Sequence, residues 1–289
     1  MPLRPPEFRV IARSPGTRPA KAASDPNYMT SLARGLSVIR AFTGADPQLT
    51  IAEVARISGL PRAAARRCLH TLERLGYVGS DGRRYSLRPK ILALGYAFMS
   101  STPLATTLQP VLERVSERLH ESCSASTLDE DEIVYIARAA TRRIMSVTLN
   151  VGSRLPAYCT SMGRVLLSQL PREEIDEFLG RVRMRPITEK TITSRDTLRR
   201  VLDQVLEKGY ALVDQELEIG LRSIAVPVRG ATGAVIAAMN ASAQASRISR
   251  REMEGRFLPV LQQGAGEVAQ LFVRTGLSGS AAHSIARPT

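Results

Sequence analysis

The sequence has little that would place it in a membrane or outside the cell. No run of about 18 apolar residues, the length that a bilayer-spanning helix needs, occurs along it. The opening segment MPLRPPEFRVIARSPG has no apolar stretch of signal-peptide length. We therefore expect a cytoplasmic protein with no membrane partner.

The sequence also lacks the common catalytic and cofactor-binding motifs. It contains no Walker loop, GxGxxG, HExxH, GxSxG or CxxC pattern. The cysteines and histidines are scattered, at Cys68, Cys123, Cys159, His70, His120 and His283. No histidine is close in sequence to the nucleophile candidates Cys159 and Ser161. We predict reduced thiols, no metal, no cofactor and no catalytic residues.

Acidic residues are scarce, and the imbalance lies in the first third of the chain. Lys and Arg total 40 against 27 Asp and Glu, which gives a net charge of +13. Residues 1–100 contain 16 basic and 6 acidic side chains, whereas residues 101–289 contain 24 and 21. Basic tails can serve solubility, but 11 of the 16 bases follow Asp25 in a patterned segment. This distribution favours polyanion binding by one module and a second task for the other.

Composition divides the chain into two patterned blocks between two tails. Residues 1–27 and 277–289 have no hydrophobic periodicity, and we predict that both are disordered. The blocks cover 28–88 and 103–276, and the segment 89–102 joins them.

The first block has the pattern of a winged helix-turn-helix, with the helix-turn-helix at about residues 50–70. Thr50 and Glu53 form a capping box that begins a short helix ending at Gly59. Helices capped by Ser31 and opened by Pro61 flank it, and a hairpin follows around Asp81-Gly82. Apolar positions recur in the flanking helices at Leu32, Leu36, Ile39 and Phe42, and at Ala65, Cys68, Leu69, Leu72 and Leu75. The glycine-containing turn between short helices is the specific part of this pattern.

The third helix and the hairpin present basic side chains suited to DNA. Arginine can pair with guanine in the major groove, and any basic side chain can contact phosphate. A solvated charged face is the alternative, but almost all charges in this stripe have one sign. The candidate DNA-binding residues are Thr50, Arg62, Ala63, Arg66, Arg67, His70, Arg83 and Arg84.

The segment Pro89–Met99 is apolar on nearly all sides. A helix of this kind must be covered by something. Its partner is either the same helix of a second subunit or the chain's own wing. We predict a linker helix over residues 89–102 and favour the subunit contact.

The second block predicts an antiparallel α+β domain, because consecutive hairpin strands have helices at both ends. The predicted strands are Cys123–Leu128, Ile133–Ala139, Ile144–Leu149, Tyr210–Asp214, Ser223–Val228 and Ala234–Ser242. The predicted helices run from Pro103, over Ser161–Gln169, from Arg172 toward Gly180, from Ser194 to Lys208, and over Arg250–Val273, where Gly264 and Gly266 weaken the middle.

This second block also predicts a small-molecule pocket. The amides that open the Ser161–Gln169 helix carry a partial positive charge that suits a carboxylate. Asn240 and Ser242 point to one face of an apolar strand, where a ligand or the neighbouring strands could satisfy them. Three carboxylates could form an acid/base or metal site, although such groups more often cap a strand or hold water: Asp214, Glu216 and Glu218.

Several separate motifs resemble the IclR family of bacterial transcriptional regulators. They are SLARGLSVIRAF, TIAEVARISGLPRAAARRCLHTLERLGYV, GSRLPAYCTSMGRVLL, GYALVDQELEIGLRSIAVPVRG and AVIAAMNASAQASR, within about residues 28–275. LPAYCTSMGRVLL and the VDQELE–GLRSIAVPV pair are most similar to the branch that regulates the β-ketoadipate pathway, the protocatechuate and 4-hydroxybenzoate regulators.

The resemblance implies a winged-helix domain, a linker helix and a GAF-like effector domain, assembled as homodimers or tetramers. It implies a regulator at a double-stranded DNA operator in the bacterial nucleoid, with RNA polymerase as a further partner. Its effector would be an aromatic or dicarboxylic acid, and its targets aromatic catabolism genes. The implied effector-binding residues are Ser161, Met162, Asp214, Ser223, Asn240 and Ser242. Several family members have serine at the position of Asn240, so the identity of the effector does not transfer.

Two other functions are compatible with parts of the sequence. One is a DNA-binding architectural protein whose second domain only oligomerises, which would have no need of polar pocket residues. The other is an acyl-transfer or hydrolase enzyme that uses Cys159 or Ser161, for which the sequence offers no identifiable base.

Overall fold

The computed structural model describes residues 25–43, 46–101, 103–141 and 149–275. They belong to two units, Met1–Ser100 and Ser101–Thr289. Apart from residues 25–27 and Leu149, the two predicted tails and the predicted strand Ile144–Leu149 lie outside the described residues. In the described part of the chain, no helix is both long and apolar enough to cross a membrane.

The first unit contains three helices and a two-stranded antiparallel hairpin, followed by a fourth helix. The elements are α1 (Thr30–Arg40), α2 (Ile51–Ser58), α3 (Arg62–Arg74), β1 (Val78–Ser80), β2 (Tyr85–Leu87) and α4 (Leu92–Ser101). Fully buried Val38, Val54 and Leu69 bring the first three helices together in one core.

Local chemistry sets the boundaries of α2 and α3. The amide of Glu53 donates to Thr50 Oγ1 at 3.3 Å, and the amide of Thr50 donates to the Glu53 carboxylate at 2.8 Å. This is the predicted capping box. Gly59 ends α2 with φ of 68°, a left-handed conformation that glycine adopts without strain. Pro61 is the N-cap of α3 rather than its first residue.

Three details of the first unit differ from the sequence prediction. The first helix begins at Thr30, and its N-cap Met29 makes no side-chain cap, so the predicted cap at Ser31 is wrong. Leu32 and Leu36 are 58% and 46% exposed because no described element of this unit covers their face. Leu75 is 52% exposed, since it lies at the C-cap of α3, beyond the packed turns.

The second unit is built on a six-stranded antiparallel sheet. Its spatial order is β5-β4-β3-β8-β7-β6. The strands are β3 (Ser122–Asp129), β4 (Glu132–Ala139), β5 (Arg154–Pro156), β6 (Ala211–Asp214), β7 (Leu221–Arg229) and β8 (Val235–Gln244). The short edge strand β5 was not predicted.

Helices cover both faces of this sheet. One face packs against α5 (Pro103–Leu119) and the C-terminal helix, and the other against α6 (Ser161–Ser168), α7 (Arg172–Arg181) and α8 (Arg195–Lys208). The C-terminal helix is not uniform, because a π-helical turn over Met253–Phe257 joins α9 (Arg250–Glu252) to α10 (Leu258–Thr275). The arrangement confirms the predicted α+β class.

Candidate functional site

The first candidate site is the exposed face of α3. Ala65, Leu69 and Leu72 are buried and orient the helix. The opposite side exposes all five predicted contact residues of this helix, Arg62, Ala63, Arg66, Arg67 and His70. The helix therefore offers three arginines from one solvent-accessible stripe, and guanidinium groups can donate to guanine edges or phosphates.

The hairpin forms the wing, and its two predicted DNA-binding arginines have different surroundings. The Asp81 carboxylate accepts from the amides of Arg84 at 2.7 Å and Arg83 at 2.9 Å, and these bonds, the first above all, lower the pKa of Asp81. The Arg83 side chain is exposed. The Arg84 guanidinium instead donates to Asp46 at 3.1 Å and to the Gln48 carbonyl at 2.9 Å. The Arg83 side chain is therefore accessible to solvent, whereas that of Arg84 links the wing to the loop before α2.

Thr50, the remaining predicted contact residue, is half-buried. Its hydroxyl donates to the Glu53 carboxylate at 2.8 Å within the capping box. These bonds, led by the Thr50 amide, lower the pKa of Glu53. The geometry gives Thr50 a role in starting α2.

The second candidate site is a cavity between the central sheet and the start of α6. It is lined by Ser122, Ser124, Tyr135, Arg138, Leu149, Cys159, Thr160, Ser161, Met162, Val213, Leu217, Leu221, Ser223, Asn240 and Ser242. Five of the six predicted effector-binding residues are in this set, and Asp214 is not.

Strand register explains why so many polar groups meet there. Ser124 on β3 is opposite Arg138 on β4 and Asn240 on β8. Ser122, Ser242 and Ser223 form the next row across β3, β8 and β7. Paired residues in antiparallel strands point to the same face. The cavity floor is therefore two adjacent rows of polar side chains on an otherwise apolar sheet.

Two buried polar atoms in the cavity have no hydrogen-bond partner among the described residues. They are Ser161 Oγ and Asn240 Oδ1, on residues that are 1% and 5% exposed. The other end of the Asn240 amide is used, because Nδ2 donates to Ser242 Oγ at 3.2 Å. Unsatisfied buried polar atoms are rare in folded proteins, so these two atoms are available to bond a ligand or a water molecule.

The start of α6 is tightly built. Thr160 Oγ1 caps the helix by accepting from the Gly163 amide at 3.3 Å. A Cβ on Gly163 would lie 2.2 Å from the Ala157 carbonyl oxygen, so only glycine fits here. The Gly163 amide therefore donates within the cap, although the sequence suggested that the amides here would bind a carboxylate.

The predicted carboxylate cluster is not assembled as a site. The Asp214 carboxylate accepts from Arg222 at 2.9 Å, which keeps it outside the cavity lining. Glu216 forms a buried bidentate pair with Arg164 at 2.7 and 2.6 Å and also accepts from the Ile192 amide at 3.0 Å. These carboxylates are structural. In the part of the chain that the structure describes, no cluster of potential metal ligands occurs.

The buried thiol and phenol of the cavity are neutral near pH 7. Burial raises the pKa of Cys159 to about 12. Burial also raises the pKa of Tyr135 to about 12, against the opposing influence of the Arg138 charge. Neither group is an activated nucleophile, and Tyr135 can act as a hydrogen-bond donor.

Sequence reasoning missed Arg138, Tyr135, Ser122 and Ser124. The signal for the serines was the alternation of Ser122, Ser124 and Ser126 along a strand with apolar intervening positions. Arg138 interrupted the apolar run IVYIARA, and a charge within a buried strand is itself a signal.

A helix-turn-helix unit with a basic exposed helix, followed by a unit with a polar cavity, defines a ligand-responsive transcriptional regulator. Residues 31–82 match the IclR helix-turn-helix domain, and residues 96–270 match the bacterial transcriptional regulator IclR C-terminal domain. The chain belongs to the IclR family. It is a DNA-binding regulator with an effector-binding C-terminal domain.

Individual relatives show which branch of the family this chain resembles. The Pca regulon regulatory protein of Pseudomonas putida is 51% identical over 264 residues, 91% of either chain. A solved structure described as a transcriptional regulator from Rhodococcus sp. RHA1 is 46% identical, with a TM-score of 0.76 over 86% of this chain and 100% of that one. A double mutant of the inducer-binding domain of the Acinetobacter PobR transcription factor, in complex with 3-hydroxybenzoic acid, is 34% identical. Its TM-score is 0.55 over 58% of this chain and 98% of that one. The predicted resemblance to the β-ketoadipate branch is confirmed.

Proposed function

We propose that this regulator senses a small organic acid, aromatic or dicarboxylic, in the cavity beneath α6. Ligand binding changes its affinity for an operator that controls aromatic catabolism genes. The proposed effector-binding residues are the five predicted ones that line the cavity, Ser161, Met162, Ser223, Asn240 and Ser242. The PobR domain bound to 3-hydroxybenzoic acid supports an aromatic acid.

The observation that carries this proposal is the pair of unpartnered buried atoms, Ser161 Oγ and Asn240 Oδ1. A domain that only oligomerised would fill this space with apolar side chains, because burying an unpaired polar atom costs about 1–3 kcal/mol. A ligand that bonds both atoms removes that cost. The architectural alternative is therefore disfavoured.

We infer that the protein does not catalyse acyl transfer. The raised pKa keeps Cys159 a thiol at neutral pH, whereas a nucleophile needs the thiolate. The Cys159 thiol donates a weak hydrogen bond to the Pro156 carbonyl at 3.8 Å. Among the described residues that line the cavity there is no histidine to act as a base.

Isothermal titration with 4-hydroxybenzoate, protocatechuate and adipate tests the sensing proposal. We expect at least one acid to bind wild type, and Asn240→Ala to weaken that binding roughly 5- to 150-fold by deleting a buried hydrogen bond. Operator affinity without ligand should stay near that of wild type. Ser168→Ala is the matched control, because the buried Ser168 hydroxyl bonds the Val165 carbonyl outside the cavity. Failure of all these acids to bind at millimolar concentration would reject the proposal.

We propose that α3 enters the major groove and that the wing contacts the adjacent backbone. Replacing one base-contacting arginine among Arg62, Arg66 and Arg67 by alanine should cost about 1–3 kcal/mol on the cognate operator. Arg83→Ala should weaken binding to all sequences alike and flatten its salt dependence. Fluorescence anisotropy at several salt concentrations measures both effects. Arg74→Ala, exposed at the far end of α3, is the control. Unchanged operator affinity in the triple variant of Arg62, Arg66 and Arg67 would contradict the assignment.

The wider assembly is also part of the proposal. A dimer, or a tetramer of paired dimers, would present two helix-turn-helix units to a two-fold operator. RNA polymerase is a further proposed partner, and the proposed place of action is the cytoplasm at the nucleoid.

A further inference from the structure

The cavity of the second unit is too small for an organic acid as it stands. Its volume is about 40 Å³. A water molecule needs about 10–15 Å³, and an engineered cavity of about 150 Å³ binds one benzene molecule. Binding of the proposed effector therefore requires that one side of the cavity moves away from the other.

The floor of the cavity is the side less able to move. It belongs to β4, β3, β8 and β7, which are joined by continuous antiparallel pairing. The helix α5 and the C-terminal helix pack against the back of this sheet. The opposite side consists of two shorter pieces, the wall segment (residues 157–164) and the β6–β7 loop (residues 215–220). Residues 159–162 and Leu217 of these pieces line the cavity.

One buried ion pair joins the wall segment to the β6–β7 loop. The Arg164 guanidinium donates to both oxygens of the Glu216 carboxylate, at 2.7 and 2.6 Å. Arg164 is 2% exposed and Glu216 is 7% exposed. Arg164 follows Ser161 by three residues, about one helical turn, and Glu216 directly precedes Leu217. The pair therefore connects the two pieces through residues that are close in the chain to those lining the cavity.

Further hydrogen bonds centre on the same ion pair. Nε of Arg164 donates to the Tyr158 carbonyl at 2.9 Å, within the wall segment. The Glu216 carboxylate accepts from the Ile192 amide at 3.0 Å, and the Glu216 carbonyl accepts from Thr191 Oγ1 at 2.6 Å. The pair therefore fixes three segments against one another, which are the wall segment, the β6–β7 loop and the loop before α8.

Stability alone does not account for an ion pair in this place. Replacing a buried ion pair by apolar side chains of similar volume is often neutral or stabilising. The β6–β7 loop is also held in a strained conformation, because Gln215 has a φ of 65°, a left-handed value that costs free energy in a residue other than glycine. Loss of the pair should therefore let this loop relax away from the wall segment.

We propose that the Arg164–Glu216 pair is a latch, which holds the wall segment against the β6–β7 loop and keeps the cavity closed until an effector separates them. The latch sets the fraction of the protein whose cavity is open, and this fraction limits the apparent affinity for the effector. The inference rests on the proposed function only in naming the effector as the molecule that uses the opening.

Two buried cysteines report the opening without any ligand. Cys159 lies in the wall segment, whereas Cys123 lies on the opposite face of the sheet, in the core with α5. In protein that carries Cys68→Ser, peptide mapping after alkylation by iodoacetamide at pH 8 measures the rate of each thiol. We expect Glu216→Gln to raise the rate of Cys159 roughly 10-fold or more, with Cys123 as slow as before. Equal acceleration of both thiols would indicate global unfolding and would contradict a local latch.

A second variant, Arg164→Gln, separates opening from a direct electrostatic effect on the thiol. Burial dominates the raised pKa of Cys159, while the Arg164 charge lowers this pKa and the Glu216 charge raises it. Through charge alone, Glu216→Gln would speed the reaction of the thiol and Arg164→Gln would slow it. Opening of the latch predicts a faster reaction in both variants. Opposite changes in the two variants would therefore overturn the proposal.

Asp214→Asn is the matched control. The ion pair of Asp214 with Arg222, at 2.9 Å, joins β6 to β7 within the sheet and does not involve the wall segment. Its loss should leave the Cys159 rate as in wild type. An increase as large as that in Glu216→Gln would show that any lost ion pair of this unit exposes the thiol.

Calorimetric titration connects the latch to sensing. Whichever of 4-hydroxybenzoate, protocatechuate and adipate binds wild type should bind Glu216→Gln more tightly, because more of the variant is already open. Unchanged or weaker binding, or a Cys159 thiol that stays protected in both variants, would overturn the latch while acid sensing stands. If none of these acids binds wild type, the proposed function fails, and the thiol rates still decide whether the latch exists.

Discussion

At the scale of single residues, the two buried thiols have a measurable consequence. Burial raises the pKa of both Cys123 and Cys159 to about 12, and Cys68 is half-buried on α3. Since thiols react as thiolates, dithionitrobenzoate at pH 8 should modify one thiol per native chain and three after unfolding. Cys68→Ser should abolish the native reaction. Rapid native modification of Cys159 would contradict the proposed absence of nucleophilic catalysis.

The same thiols make stability depend on alkaline pH. An unfolded thiol loses its proton near its ordinary pKa of 9.0, whereas the folded ones keep theirs to about 12. The raised pKa therefore contributes stability that is complete below pH 9 and is lost as pH rises toward 12. Between these values the free energy of unfolding should fall by about 1.4 kcal/mol per pH unit for each thiol. Urea unfolding at pH 8 and 10 measures this slope, and Cys123→Ala/Cys159→Ala should reduce it. An identical slope in the double variant would contradict the assignment.

Single cavity residues were predictable where they broke a local pattern. Asn240 and Ser242 interrupted an apolar strand at a spacing of two, and this placed both in the cavity. Asp214 was assigned to the effector site through the family resemblance, but in the structure its carboxylate accepts a hydrogen bond from Arg222. That pairing depends on the register of β6 against β7, which no local pattern reveals. Arg138 was missed for a similar reason, since only the pairing of β4 with β3 places it beside Ser124 in the cavity lining.

At the scale of elements, α10 carries two glycines in different environments. A Cβ at Gly264 would lie 2.9 Å from Val115 Cγ2 and 3.2 Å from Val111 Cγ1 on α5, whereas nothing lies within 4 Å of one at Gly266. Valine side chains are stiff, so Gly264→Ala should destabilise the protein by about 1–3 kcal/mol through overpacking.

Gly266→Ala is the matched control on the same helix. It should stabilise the protein by up to about 1 kcal/mol, because alanine is the better helix former. Chemical denaturation measures both changes. Equal effects of the two substitutions would show that α5 and α10 are not in the close contact described.

The same pair shows how far elements follow from sequence. The helix itself was predictable from its periodicity, and both glycines were expected to weaken it. Gly264 instead permits the close contact between α10 and α5. This tertiary contact cannot be inferred from helix propensity. Capping chemistry was the more reliable signal, since the box at Thr50 and Glu53 is present as predicted. The predicted cap at Ser31 failed, because α1 starts one residue earlier without a side-chain cap.

At the scale of the whole molecule, the apolar side chains of α4 need a partner. Leu92, Leu94 and Tyr96 are 72%, 50% and 71% exposed in the single chain. The chain's own wing therefore does not cover them, and the contact with a second subunit stays a prediction. Exposed apolar surface of this kind favours association.

Charges on this surface should weaken assembly, because burying an unpaired carboxylate between subunits is costly. We expect Leu92→Asp/Leu94→Asp to shift wild-type dimers or tetramers toward smaller species in sedimentation velocity. Leu206→Asp, an equally exposed leucine on α8 at 56%, is the control and should leave the distribution unchanged. The double variant should also lose operator affinity, since two helix-turn-helix units would no longer bind together. A wild-type protein that sediments as a monomer, or a variant with an unaltered distribution, would remove α4 from the assembly interface.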